Sequence, residues 1–221
     1  MEDLAIKYNW PRKTGTQPFG PESPLLARLD PVVAEKFRFL AAFLRRPGAV
    51  GAVAPSSAAL AQSMLRGCGL RRAKVVVELG PGTGAFTRFI VERIGPVTHF
   101  LALELDQQNT LALKRRFPGG HFHHDSAEHV QRYLPADQKA DCIISGLPWG
   151  SMTAATQNRI LDPVFASLKP GGTFSAMAYI HATWFPSSRH FRRRLENHFK
   201  SVAISPIVWR NLPPAIVYRC R

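Results

Sequence analysis

The chain has 221 residues, enough for one α/β domain with an appended arm, and its apolar content of 45% suffices for a packed core. Its three cysteines are scattered, without a CxxC pair, which argues against a disulfide framework or a zinc site and suits a reduced, cytoplasmic setting. A formal net charge of +14 is more one-sided than solubility requires and points to a polyanionic partner, either nucleic acid or an anionic membrane surface.

The opening "MEDLAIKYNWPRK" lacks a secretory core, and no apolar run approaches the roughly 20 residues of a membrane span. Residues 8–30, rich in Pro and Gly, read as an irregular arm. Asp30 and Pro31 then open a helix over 31–46. Val33, Phe37, Leu40 and Leu44 share one face, which Val32, Phe39 and Phe43 widen, while Lys36, Arg38, Arg45 and Arg46 supply cations. Such a helix either lies in a bilayer interface or packs on its own domain. Residues 1–50 are thus expected to form an arm with a basic amphipathic helix, and residues 51–221 the main domain. A short helix should follow "PSS" at 55–57.

From Lys74 onward, short apolar runs alternate with helical stretches. Strands are expected at 75–79, 99–105, 120–124, 141–145, 173–180, 201–209 and 215–220, with helices at 85–94, 107–117, 153–168 and 188–199. That order predicts a Rossmann-like α/β fold with a seven-stranded, mostly parallel sheet. Only "RNLPP" separates the last two strands, so they should form a terminal antiparallel hairpin. From His181 to the end, eight Lys/Arg face the single Glu196, a net +7 that is half of the total excess.

"VVVELGPGTGAFTRFI" places Gly80, Pro81, Gly82, Thr83 and Gly84 between a strand and a helix, where a ligand can lie against backbone near a helix N-terminus. The loop has neither the GxGxxG spacing of dinucleotide sites nor the GK[ST] of a P-loop. Preceded by Glu78, it is instead similar to the E-x-G-x-G-x-G motif of class I S-adenosylmethionine (SAM) methyltransferases. Glu104, followed by Leu105, ends the second strand, where a carboxylate can accept two ribose hydroxyl protons. Asp125, followed by Ser126 and Ala127, ends the third, within reach of an adenine amine. The bland alternative makes Glu104 and Asp125 simple helix N-caps. The cluster His121, His123, His124 and His129 has no nearby cysteine to complete a usual ligand set, and no metal is expected.

After the fourth strand comes "SGLPWG" (Ser145–Gly150), the place where such enzymes meet the methyl acceptor. Adenine-N6 and rRNA adenine methyltransferases resemble this chain overall but carry Asn or Asp where Gly146 stands. Without that oxygen a flat base loses its orienting group, whereas an alkyl ammonium head needs only backbone carbonyls and an aromatic face. Gly146, Leu147 and Pro148 would line the acceptor, and Trp149 and Tyr179 could supply the face. Alternatively Trp149 simply caps the core.

"RRPGAVGAVAPSSAALAQSM", "VVELGPGTGAFT", "SGLPW" and "RNLPPAIVYR" together resemble the bacterial phosphatidylethanolamine N-methyltransferases, over roughly residues 45–221. The resemblance implies SAM-dependent methylation of phosphatidylethanolamine towards phosphatidylcholine, with S-adenosylhomocysteine as product. It also implies that Glu78 and the three glycines form the cofactor motif, that Ser56 and Ser57 close over the cofactor, and that the acceptor binds near Tyr179. Ornithine lipids, small amines and RNA remain alternative acceptors, nucleic acid being the weaker partner. Arg192, Arg193 and Arg194 could pair lipid phosphates, or form a solvated basic face. The implied setting is cytoplasmic and peripheral to the inner membrane.

Overall fold

The computed structural model describes residues 57–221. The arm at 1–50, its helix at 31–46 and Ser56 lie outside the described residues.

Seven strands form one sheet: β1 (Val75–Leu79), β2 (His99–Glu104), β3 (His121–His124), β4 (Ala140–Ser145), β5 (Leu168–Tyr179), β6 (Val202–Ile204) and β7 (Ala215–Cys220). Their spatial order is β3-β2-β1-β4-β5-β7-β6. The pairs from β3 through β5 are parallel, and β7 runs antiparallel to both β5 and β6. The seven-stranded Rossmann-like sheet and its C-terminal antiparallel hairpin are as the sequence predicts.

Strand alternation divides the core into two layers. Val75, Val77 and Leu79 of β1 face a cluster with Ile160, Leu161, Val164, Phe191 and Leu195, from helices α4 (Ala154–Ser167) and α5 (Pro186–His198). Val76 faces the other layer, with Leu60 and Met64 of α1 (Ala58–Leu65), Ile90 of α2 (Thr87–Val91) and Leu113 of α3 (Gln107–Arg116). The same period of two turns Glu78 into this second layer, beside α2.

Ser57 caps α1, its Oγ accepting from the Leu60 N–H at 3.2 Å. Polar ties then dock the helix on the sheet: the Ser175 hydroxyl donates to the Met64 carbonyl at 2.7 Å, and Arg221 donates to the Gly67 carbonyl at 2.7 Å. Asp106 and Ser126 cap the segments after β2 and β3. Glu104 and Asp125 are therefore not those caps.

Some boundaries differ from expectation. The β6 strand stops at Ile204 instead of reaching 209. Ser205 Oγ accepts the Val217 N–H at 3.0 Å, and Pro206, with no N–H, cannot extend the ladder. A 3₁₀ stretch, Ala127–Tyr133, was not apparent in the sequence and bears on the site below.

Because the chain lays down β1, β2 and β3 outward and then returns to place β4 beside β1, the order reverses between β1 and β4. The crevice beyond their carboxyl ends is where open α/β sheets bind ligands. The glycine loop follows β1 and the "SGLPWG" loop follows β4, so both border this point.

Candidate active site

Glu78 is fully buried, and its Oε2 accepts a hydrogen bond from the Thr87 hydroxyl at 2.7 Å. Its Oε1 has no partner among the described residues. Burial raises its pKa to about 8, against the Thr87 hydrogen bond, and the nearby Glu104 carboxylate adds to the rise. Glu104 is also pushed above the usual carboxylate range, by burial first, although backbone N–H groups of Asp106 and Gly82 donate to its two oxygens at 2.9 and 2.8 Å. A buried Glu78 whose ionisation the Glu104 carboxylate further opposes makes a site that gains from a cation.

The groups present fit SAM. The orphaned Glu78 oxygen suits an ammonium group, and the Gly80–Gly84 turn lets a ligand lie against backbone, the N–H groups of its three glycines being donated to the Leu103 carbonyl, Glu104 Oε2 and the Pro81 carbonyl. Each Glu104 oxygen keeps a lone pair beyond its backbone bond, so ribose hydroxyls can still donate to it. Gly80 has φ 68°, and a Cβ there would sit 2.7 Å from Leu147 Cδ2, so only glycine fits.

Asp125 has more company than the sequence indicates. Its Oδ1 accepts from Ser126 N–H at 2.7 Å and lies 2.8 Å from His129 Nδ1, while its Oδ2 accepts from the Tyr133 hydroxyl at 2.7 Å. Partial burial opposes ionisation, but the His129, Tyr133 and Ser126 hydrogen bonds outweigh it and bring the pKa down to about 2. An adenine amine would meet a fixed, ionised carboxylate with one of its roughly four acceptor positions left. His123 stacks on Tyr133 at 4.0 Å, His121 stacks on His99 at 4.4 Å, and His124 Nε2 lies 3.0 Å from the Leu105 carbonyl. The four clustered histidines thus serve separate contacts.

The acceptor loop corrects two expectations. Trp149 is 1% exposed, stacked on Phe191 at 4.6 Å, with its Nε1–H donated to Ser145 Oγ at 3.0 Å. It caps the core and offers no face to a ligand. Gly146 is not simply a missing acceptor side chain. Its N–H donates to the Leu79 carbonyl at 2.8 Å, and a Cβ would stand 2.8 Å from the Gly80 carbonyl. The two loops press together across the β1/β4 reversal, and the contact itself demands glycine.

A family described as a methyltransferase domain matches residues 76–172. The chain is 32% identical over 191 residues to an ornithine lipid N-methyltransferase of Singulisphaera acidiphila, covering 84% of this chain and 95% of that protein. It is 38% identical over 108 residues to a ribosomal RNA small subunit methyltransferase of Arabidopsis thaliana, covering 47% of this chain and 29% of that one. The O-methyltransferase TomG of Streptomyces achromogenes, solved with SAM, has the same fold, with a TM-score of 0.59 at 12% identity over 87% of this chain and 91% of that one. The chain belongs to the class I SAM-dependent methyltransferases.

In this methyltransferase Gln157, which no local motif marks in the sequence, anchors the acceptor loop. Fully buried on α4, its Nε2 lies 2.7 Å from the Trp149 carbonyl, 2.9 Å from that of Ser187 and 3.4 Å from that of Met152. It ties the acceptor loop to the start of α5. Gln157→Ala should cost about 1–3 kcal/mol of stability by untying the loop from α5; the Trp149 carbonyl keeps the Met152 N–H at 3.2 Å, and the unpartnered Gln157 Oε1 is removed with the side chain. Denaturant unfolding checks this, and an unchanged midpoint would mean the loop is held by other contacts.

Tyr179 ends β5 at the same edge of the sheet, half-buried, and burial raises its phenol pKa, so the hydroxyl stays protonated. The three arginines of α5 diverge. Arg192 pairs Glu196 at 2.7 Å, Arg194 pairs Asp162, and Arg193 makes no ion pair among the described residues. Arg192 and Arg194 are thus engaged by neighbouring acids at the surface and, among the described residues, Arg193 is not. The two signatures "PSS" and "NLPPA" meet in space, the Ser57 N–H donating to buried Asn211 Oδ1 at 2.9 Å. With its hydroxyl capping α1, Ser57 serves to fix this helix at the rim.

Proposed function

We propose that the methyltransferase N-methylates the primary amine of a membrane amino lipid, phosphatidylethanolamine first. The observation that carries this reading is the near end-to-end match to an ornithine lipid N-methyltransferase, covering 95% of that protein. An acceptor loop without a side-chain oxygen at Gly146 is consistent with it.

Bound SAM supplies an electrophilic methyl group and leaves as S-adenosylhomocysteine. The protein has to align a neutral amine with that methyl carbon and remove water. The Gly146 carbonyl, which accepts no hydrogen bond among the described residues, can take an amine N–H. The Tyr179 hydroxyl, kept neutral by burial, orients the head group as a hydrogen-bond partner and not as a phenolate base. The proton that the methylated amine gives up would leave to water, since among the described residues no side chain at this edge is placed as its base.

The name of the Singulisphaera relative favours a second reading, an ornithine lipid acceptor. Both lipids offer a primary alkylamine, so the amine chemistry is shared. Initial rates on vesicles containing one lipid or the other separate them. Phosphatidylethanolamine is expected to give the higher kcat/KM. Methylation of ornithine lipid alone would replace the first reading with the second, and label found in RNA but not lipid would overturn both.

A further inference from the structure

Two loops leave the sheet at the edge where the acceptor loop lies. Residues 180–185 follow β5, and residues 205–214 lead into β7. They start side by side: Tyr179 pairs Ala215, and the Ile180 N–H donates to the Pro214 carbonyl at 3.0 Å. The first leads straight into a tie to the acceptor loop, since Ser187 at the start of α5 donates to the Gly150 carbonyl at 2.5 Å.

These loops carry large apolar side chains outward. Trp184 is 80% exposed, Trp209 71%, Leu212 57% and Phe185 45%. Exposed tryptophans gathered at one end of a domain mark an interaction surface. Loose chain does not explain them. Val208 N–H bonds to the Ala215 carbonyl, Asn211 N–H to that of Val208, and Phe185 N–H to that of Ala182, so the backbones beneath are fixed.

The charge around them selects the partner. From residue 180 to the end the lone acid is Glu196, already paired with Arg192. Arg189 and Arg193, one turn apart on α5, and Arg210 beside Trp209 are exposed and make no ion pair among the described residues. Tryptophan, phenylalanine and unpaired arginine without acids compose a surface suited to lipid head groups, aromatic bodies at the acyl boundary and guanidinium groups on phosphates.

We propose that loops 180–185 and 205–214 dock the protein on an anionic bilayer. Trp184, Phe185, Trp209 and Leu212 enter the interface, Arg189, Arg193 and Arg210 contact lipid phosphates, and the acceptor loop is brought to the membrane plane. The choice of a bilayer rests on the amino-lipid reading, but the surface can be tested apart from it.

The test is flotation of the full chain with vesicles of phosphatidylethanolamine and phosphatidylglycerol. The Trp184→Ser/Trp209→Ser double variant should lower the bound fraction by tenfold or more, on the order expected for two interfacial aromatics, with SAM affinity unchanged. In a Trp10→Phe background, brominated lipids should quench the fluorescence of Trp184 and Trp209, Trp149 being buried. Undiminished flotation of the double variant, or binding without quenching, would overturn the proposal. Shielding of both tryptophans from an aqueous quencher before vesicles are added would do so too, showing that the chain's own residues cover them. Vesicle binding through these tryptophans with no methyl reaching lipid would uphold the surface and reject the amino-lipid reading. Retained methylation of a dispersed short-chain amino lipid by the double variant, with vesicle turnover lost, would uphold both.

Discussion

Titration of SAM into the protein at pH 7 is expected to release about one proton per site, and Glu78→Gln to abolish the release together with at least a hundredfold of affinity. Glu78, with a pKa of about 8, is mostly protonated at pH 7 before the cofactor arrives. A cation placed against its unpaired Oε1 favours the carboxylate, so the proton leaves as SAM binds. Affinity should then rise towards tenfold per unit between pH 6 and 8. The same shift sets the sign for stability. The folded state holds the proton while the unfolded chain ionises near the ordinary value of 4.5, so stability falls as pH rises from about 4.5 through 8. The cost is of order several kcal/mol for so buried a group. Glu78→Gln should therefore unfold at a higher temperature than the parent at pH 8 and at much the same temperature at pH 5. Calorimetry in buffers of different ionisation enthalpy measures the proton count. Equal heats in all buffers, with SAM affinity independent of pH, would refute the assigned role.

Gly146→Ala is expected to lower both stability and SAM affinity, although residue 146 belongs to the acceptor loop. The added methyl would stand 2.8 Å from the Gly80 carbonyl, and backbone cannot swing aside as a side chain can. Either the acceptor loop lifts, stretching the Gly146 N–H bond to Leu79, or the glycine loop shifts and the cofactor cradle opens. About 1–3 kcal/mol of stability and roughly tenfold in SAM affinity should be lost. Gly146→Asn should do no better, because restoring an amide cannot restore a base site whose backbone is packed this closely. Unchanged SAM affinity and melting temperature in Gly146→Ala would show that glycine stands there only for the acceptor's sake.

The candidate cofactor residues could be picked out in the sequence because their signals are local. Glu78 and the glycines punctuate a strand-to-helix turn, and Glu104 and Asp125 end successive strands. The acceptor half depends on contacts between distant segments. A loop tryptophan reads alike whether it faces solvent or core, and only Phe191 from α5 decides that Trp149 is buried. The reason for Gly146 lies in a carbonyl on another loop. Other residues left signals that went unread. Gln157 falls on the same α4 face as Ile160, Leu161 and Val164, where a polar residue asks for a partner. His129 and Tyr133 follow Asp125 at four-residue steps, whereas a 3₁₀ turn repeats every three; the break at His129 (φ −100°, ψ 15°) lets both side chains reach the carboxylate. The terminal hairpin was evident from "RNLPP", yet its first strand is shorter than the apolar run because Ser205 and Pro206 interrupt it.

The most direct measurement of the central claim uses purified full-length protein, SAM carrying a labelled methyl group, and vesicles containing phosphatidylethanolamine. Label should appear in the extracted lipid, in the amine head group by mass spectrometry, with S-adenosylhomocysteine formed in equal amount. Protein that binds SAM with the affinity and proton release described above, yet leaves the extracted amino lipids unlabelled, would contradict it.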